Sequence, residues 1–190
     1  MNDNTSHQLY DVRGRPLTSD PELEVGLGKV STRTNNIKFG FNTAIGTGAF
    51  ETIWDLGGRI VFLTGAETMS FVSADANDVA PSVGAWAIRI SGLGGNFLEI
   101  TEDLLLNGLT PVVTTLSYIR VSRVVVIAAH PTLKTNAGSI TGTASVAATP
   151  QAYIPAGYGI TQQCVLNVPA GVKMSFHEIG FNAGKLAGGG

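Results

Sequence analysis

The chain has 190 residues, of which only 14% are charged, whereas about 25% is usual for soluble domains. A formal net charge of −2 at pH 7 provides no basic surface for a phosphate backbone, and a hydrophobic content of 44% argues against a disordered chain. The longest apolar run, residues 124–129, is far shorter than the ~20 residues that cross a bilayer, so we expect a folded protein with no membrane span and no nucleic-acid partner.

The first 42 residues differ in composition from the remainder of the chain. They hold ten charged residues, and Pro16, Pro21 and several glycines interrupt any helical pattern. Their apolar residues are scattered and follow no helical period. We therefore predict an extended N-terminal arm over residues 1–42 and one folded domain over residues 43–190.

Beyond residue 43, short β-favouring runs alternate with turn residues, which is typical of an all-β sandwich. In residues 85–91, Trp86, Ile88 and Ile90 are predicted to share one buried face of a strand. The predicted strands are residues 50–54, 59–63, 67–72, 85–91, 97–102, 111–129, 138–146, 161–168 and 172–178.

Turns between these runs are predicted at residues 55–58 and 92–96 and at Asn107-Gly108, with a polar loop over residues 73–78. A helical apolar period does not persist for three turns anywhere in the chain, so helix should be minor. The predicted fold class is all-β: an antiparallel β-sandwich, jelly-roll-like, with the extended arm at its N-terminus.

The low charge is concentrated in one part of the chain. Between Val124 and Val172, Lys134 is the only charged side chain. Exposed neutral strands invite edge-to-edge pairing, so we expect this segment to be covered by neighbouring subunits. The alternative is that its strands lie centrally in one sheet and are joined by small polar loops.

The histidines and the single cysteine do not form a recognisable reactive arrangement. His7, His130 and His177 lack the spacing of a metal site or a catalytic pair. Cys164 lies in a β-favouring run, which predicts a buried and unreactive thiol.

Carboxylates and glycines also give no complete motif. The loop Asp75–Asp78 lacks the glycine and distal glutamate of an EF-hand, and an Asx turn is the expected outcome. Residues 46–51 match only part of a dinucleotide-binding glycine motif, and Glu99 and Glu102 should point to opposite faces of a strand. We predict no catalytic, cofactor-binding or metal-binding residues, and no enzyme activity.

Five aromatic residues could form a platform for stacking sugars or could fill the core of the domain. For Trp86, the alternation with isoleucines favours core packing. The five residues are Trp54, Trp86, Tyr118, Tyr153 and Tyr158.

Several stretches resemble structural proteins of tailed bacteriophages, especially those of marine and cyanobacterial phages. The resemblance covers residues 42–180 and leaves the arm outside. The stretches that carry it are Asn42–Asp55, Ser73–Asp78, Ile90–Leu93, Glu99–Glu102, Leu106–Val112 and Ser117–Arg123.

The resemblance implies a virion component without catalytic residues, similar to a capsid decoration (cement) protein. Such a protein would be made in the host cytoplasm, form a homo-oligomer with a trimer favoured, and bind the major capsid protein or other virion proteins. A tail or fibre part, or a carbohydrate-binding adhesin module, is the alternative function. A β-sandwich hydrolase with a dispersed site is a third, less supported possibility.

Overall fold

The structure is a computed structural model that describes residues 37–43 and 50–174 and the isolated positions 13, 14, 25, 27, 45, 179 and 180. Most of the predicted arm and residues 175–178 of the last predicted strand lie outside these described residues. The division between residues 42 and 43 therefore stays a prediction.

Seven strands form two antiparallel sheets, and residues 37–43 and 50–174 contain no helix. One sheet has the strand order β4-β1-β6-β7, and the other has the order β3-β2-β5. The predicted all-β, antiparallel, two-sheet architecture is confirmed. The strands are β1 (Met69–Ser73), β2 (Ala85–Leu93), β3 (Glu99–Leu105), β4 (Val112–Val113), β5 (Arg120–Ala129), β6 (Ile140–Ala144) and β7 (Pro150–Ile154).

The chain passes repeatedly from one sheet to the other. The hairpin of β2 and β3 belongs to the three-stranded sheet, β4 returns to the side of β1, and β5 lies beside β2. After the β6–β7 hairpin, Ile160 pairs with Val125, and the amide of Val126 donates to the carbonyl of Gly159. The segment that follows β7 therefore covers part of the outer edge of β5.

The main core of the described residues lies between the sheets. Both contribute fully buried side chains, such as Phe71 from β1 and Ile140 from β6 on one side, and Ile88 and Val124 on the other. A Cβ added to Gly142 would overlap the ring of Phe71, its partner in the β1–β6 ladder. The aromatic ring therefore packs directly over the glycine backbone.

The predicted shared face of β2 is right for Ile88 and Ile90, which are fully buried, but wrong for Trp86, which is half-buried. The register of β2 against β5 shifts twice before Ile88, which breaks the two-residue period. The indole N–H of Trp86 donates to the carbonyl of Ser82 at 2.6 Å, and its ring meets the edge of His130.

The single long strand predicted over residues 111–129 is wrong, because it is divided between the two sheets as β4 and β5. Thr114 ends the first part: its amide donates to the carbonyl of Met69, and its hydroxyl accepts the amide of Met69 at 2.9 Å. The chain then turns and crosses to the other sheet, where Tyr118 pairs with Glu67 on the way.

The runs predicted as strands over residues 50–54, 59–63 and 161–168 are not strands. The first two runs instead fold back on each other through two hydrogen bonds of Thr52. Its amide donates to the carbonyl of Gly58, and its hydroxyl accepts the amide of Ile60. Strand β7 was not predicted. Its sequence, Pro-Gln-Ala-Tyr-Ile, has only one β-branched residue and begins with proline, which is unusual inside a strand.

Burial within the sandwich explains part of the lack of charged residues between Val124 and Val172. Strand β6 lies centrally between β1 and β7, and Ile140, Ala144, Ala152 and Ile154 are all in the main core. Strand β6 is thus covered by its own domain, as the alternative interpretation expects, whereas β5 and β7 are the last strands of their sheets. Covering of this segment by neighbouring subunits stays a prediction. The exposed apolar residues of this segment lie mostly on its connections.

Candidate functional site

The turn between β2 and β3 holds an aromatic residue in an unusual backbone conformation. Phe97 has φ of 59°, in the left-handed region that glycine or asparagine usually occupies. The turn imposes this value: the amide of Phe97 donates to Gly94 at 2.9 Å, and the amide of Gly94 donates to Leu98 at 3.0 Å. The side chain of Phe97 is nonetheless 42% exposed.

A second segment lies beside this turn and enlarges its apolar surface. The amide of Ala170 donates to the carbonyl of Phe97 at 2.9 Å, which brings residues 168–172 next to the hairpin. Four exposed apolar side chains lie on these two segments, and we call them the apolar tip: Phe97, Leu98, Val168 and Val172. Exposed apolar residues on a strained, hydrogen-bonded turn are typical of a contact surface.

Strand β3, the last strand of the three-stranded sheet among the described residues, has a different character. Residues of β3 alternate between exposed and half-buried along its whole length, and Leu105 is 73% exposed. The strand carries Glu99, Glu102 and Asp103, and acidic residues on an edge strand oppose unwanted pairing.

Glu102 fixes the crossing between β4 and β5. Its carboxylate accepts the amide and the hydroxyl of Thr115, at 2.7 and 2.6 Å, and the amide of Leu116 at 2.9 Å. Partial burial acts to raise the pKa of Glu102, but the hydrogen bonds from Thr115 and Leu116 outweigh it and lower that pKa below its usual range.

Asp103 is engaged on the outer face of the same sheet. The guanidinium of Arg89 donates to both of its oxygens, at 2.7 and 2.8 Å, from the directly opposite position of β2. These hydrogen bonds lower the pKa of Asp103, although both side chains are about half exposed. Geometry of this kind fixes orientation more than it adds stability.

The loop Asp75–Asp78 has a structural role. The amide of Asn77 donates to Asp75 Oδ1 at 2.8 Å, which confirms the predicted Asx turn. Asp78 is fully buried, and both of its oxygens accept hydrogen bonds from the protein itself. Among the described residues, no group of three or more His, Cys, Asp or Glu side chains is placed to hold a metal ion.

The aromatic residues do not form one platform. Trp54 is only 3% exposed and belongs to a small second cluster with Ile60 and Val165, against which Tyr153 packs. Tyr118 is fully buried in the main core, where burial and then the charge of Glu102 raise the pKa of its hydroxyl.

Tyr158 is 53% exposed, on a loop that Asn136 holds. The amide of Gly159 donates to Asn136 Oδ1 at 2.9 Å, and Asn136 Nδ2 donates to the carbonyl of Pro155 at 2.8 Å. The loop therefore presents one aromatic ring on a fixed backbone.

His130 and Cys164 are the histidine and the cysteine that the described residues include. His130 accepts the amide of Thr132 on Nδ1 at 3.2 Å, while His7 and His177 lie outside the described residues. Cys164 is exposed, so the predicted buried thiol is wrong. Its run is irregular: the backbone amide of Cys164 is held by the carbonyl of Ile53, and the side chain turns outward.

Comparison with known proteins identifies no relative: the chain matches no family model, no curated protein and no solved structure. In addition, the described residues contain no helix of the length and apolarity that a membrane span requires.

Proposed function

We propose that this chain is a structural protein of a phage virion, a head decoration protein that binds and stabilises the capsid lattice. The observation that carries this proposal is the apolar tip, where the fold keeps Phe97 in a left-handed conformation and still leaves its ring in solvent. Glycine at this position would make the turn more stable than phenylalanine does, so the presence of an aromatic ring points to a role in contact.

A second exposed apolar residue is held in a similarly rigid way. Val146 is 83% exposed on the β6–β7 turn, and its amide and that of Ala147 donate to Glu67 Oε2 at 2.8 and 2.9 Å. Rigid surfaces lose little conformational entropy when they bind, which favours permanent contacts between protein subunits. A binding role therefore suits these turns better than catalysis does.

The proposed partners are copies of the same chain, with a trimer favoured, and the major capsid protein of the same phage. The proposed location is the virion, after synthesis in the host cytoplasm. The exposed apolar turns support this assignment.

The experiment is co-sedimentation of the full chain with empty shells assembled from the major capsid protein of the same phage. We expect saturable binding that the double variant Phe97→Asn, Leu98→Ser weakens by about ten-fold or more, because it removes the two apolar side chains of the turn. The matched control is Val83→Ser, which removes an exposed apolar residue just before the opposite end of β2. A wild-type chain that does not bind the shells would refute the proposal.

Tyr158 favours a carbohydrate-binding adhesin module as the second candidate, since a half-exposed ring on a fixed loop can stack on a sugar. Trp54 counts against it because the ring is buried and its N–H donates to the carbonyl of Gly57 at 2.7 Å. Binding on a glycan array that is lost in Tyr158→Ala would support the adhesin, and an array without signal would exclude it.

A further inference from the structure

We infer that two loops near the start of β2 form a binding site for an acidic saccharide, in which Lys134 binds a carboxylate or sulfate group and Tyr158 stacks on a sugar ring. The inference rests on the saccharide-binding role of Tyr158 given above as the second candidate function. It adds the charge of the ligand and the residue that recognises this charge. The amide of His130 donates to the carbonyl of Gly84, just before β2, whereas the apolar tip lies beyond the other end of that strand, so the decoration role does not depend on this site.

One buried side chain joins the connection from β5 to β6 and the loop that follows β7. Asn136 Oδ1 accepts the amide of Gly159 at 2.9 Å and the hydroxyl of Thr135 at 3.0 Å. Asn136 Nδ2 donates to the carbonyl oxygens of Gly138 and Pro155, at 2.7 and 2.8 Å. Both donors and both acceptor positions of the side-chain amide are therefore used. The two loops are held in a fixed position relative to each other.

Lys134 and Tyr158 lie on either side of this junction. Each is the sequence neighbour of a residue that shares Asn136 Oδ1: Lys134 precedes Thr135, and Tyr158 precedes Gly159. Those two residues are in direct contact, since the hydroxyl oxygen of Thr135 lies 3.1 Å from where a Cβ of Gly159 would be. The Cα atoms of Lys134 and Tyr158 therefore lie within about 15 Å of each other, a separation that two or three linked sugars bridge.

Lys134 carries a positive charge that the fold does not use. The residue is exposed, and its ammonium group forms no ion pair with any described residue. Its φ of 61° lies in the left-handed region, and its amide donates to the carbonyl of His130 at 2.9 Å. Glycine would adopt this conformation with less strain, and Lys134 is the only charged side chain between Val124 and Val172. A lysine at this position favours a ligand with negative charge.

Tyr158 provides an apolar face beside this charge. It is half exposed between Gly157 and Gly159, which both have positive φ, and its amide donates to the carbonyl of Pro155 at 3.2 Å. An aromatic ring stacks on the C–H face of a sugar, and an ammonium group pairs with a carboxylate or sulfate oxygen. Because both loops are already ordered, binding costs little conformational entropy. The combination selects a ligand that has both a sugar ring and a negative charge.

The experiment is binding of the full chain to an array of matched glycan pairs, whose members differ only by one carboxylate or one sulfate group. We expect the acidic member to be preferred, and the two kinds of pair show which anion is recognised. Titration of the preferred glycan in solution should give an affinity about five-fold lower for Lys134→Gly, with the preference for the acidic member lost. Tyr158→Ala should remove binding, whereas Tyr158→Phe, which keeps the ring, should bind like the wild type.

Urea denaturation of the same variants separates the site from the fold. Lys134→Gly relieves a left-handed conformation, so it should unfold at no lower urea concentration than the wild type although it binds less well. Lys173→Gly removes an exposed lysine outside these loops and is the matched control, which should leave binding unchanged. Equal binding of the members of every pair, or an unchanged preference in Lys134→Gly, would overturn the inference and leave Tyr158 as a site for neutral sugars. An array without signal would overturn both, and shell binding would still test the decoration role separately.

Discussion

The amide of Ala137 donates to Oδ1 of Asp78 over 2.7 Å, although 59 positions separate the two residues. Asp78 also accepts the amides of Ala85 and Gly138 and the hydroxyl of Ser73. One fully buried carboxylate thus joins the end of β1, the start of β2 and the connection from β5 to β6. It links the two sheets at one end of the sandwich.

Replacing this carboxylate by its amide should destabilise the whole domain. Asp78→Asn puts an NH₂ group where an oxygen accepts two or more donors, and the displaced amides stay buried. We expect the free energy of unfolding to fall by about 3 kcal/mol, measured by urea denaturation.

The control for this prediction is Asp75→Asn, three residues earlier in the same loop. Asparagine can still accept the amide of Asn77 through its side-chain oxygen, so the Asx turn survives and the change should stay within about 0.5 kcal/mol. Equal effects of the two substitutions would show that Asp78 does not hold the sheets together.

Glu102 should make stability depend on acid pH. Its folded-state pKa lies below the ordinary value of 4.5, so its stabilisation is complete at neutral pH and is lost as the pH falls through the folded-state pKa. In Glu102→Gln, the free energy of unfolding should therefore be reduced at pH 7, and its difference from wild type should shrink below pH 4.5. Urea denaturation at several pH values measures this difference.

Glu99→Gln is the matched control for Glu102→Gln, because Glu99 lies on the same strand and forms no hydrogen bond with the described loop 114–117. At pH 7 it should change the free energy of unfolding by less than about 0.5 kcal/mol. A constant difference between Glu102→Gln and wild type from pH 7 to acid pH would contradict the assigned role of the carboxylate.

Local alternation was enough to predict the fold class and the hairpin of β2 and β3, because a half-buried strand imposes a period of two on its sequence. Local alternation gave a wrong prediction for residues 50–54 and 161–168. Their composition favours strands, but their backbone groups form isolated hydrogen bonds and not a regular ladder. It also failed for Trp86, because register shifts opposite β5 are properties of the paired strands and not of one strand's sequence.

The apolar tip could be predicted only in part. The turn over residues 92–96 was expected from its glycines, but the left-handed conformation falls on Phe97, one residue beyond them. Ala170 and Phe97 are 73 residues apart in sequence, and no local sequence pattern predicts a contact over that separation. An aromatic residue directly after Gly-Gly-Asn was the one local signal available.

Gly40 should tolerate no side chain. A Cβ at this position would lie 2.6 Å from Cys164 Cβ and 2.7 Å from the carbonyl oxygen of Ile53, which itself accepts the amide of Cys164. Gly40→Ala should lower the free energy of unfolding by about 2 kcal/mol and change the rate at which a thiol reagent labels the exposed Cys164. Urea denaturation and the labelling rate give the two readouts.

The control for Gly40 is Gly65→Ala, because a Cβ at Gly65 would have open space around it and the residue has no left-handed φ. That substitution should be neutral or slightly stabilising, and it should leave the labelling of Cys164 unchanged. A neutral Gly40→Ala would mean that residues 39–43 do not pack against Cys164 as described.

At Phe97, the glycine variant should be more stable than the alanine variant, which is the reverse of the usual order of stability. Both substitutions remove the ring, so the difference between Phe97→Gly and Phe97→Ala isolates the backbone. Because φ is 59°, Phe97→Gly should be more stable than Phe97→Ala by about 1 kcal/mol in urea denaturation. At the neighbouring Leu98, where φ is not positive, alanine should be more stable than glycine by about 0.5 kcal/mol. If alanine were also the more stable residue at position 97, the turn would carry no strain. The conformation of Phe97 would then not support a contact role for its ring.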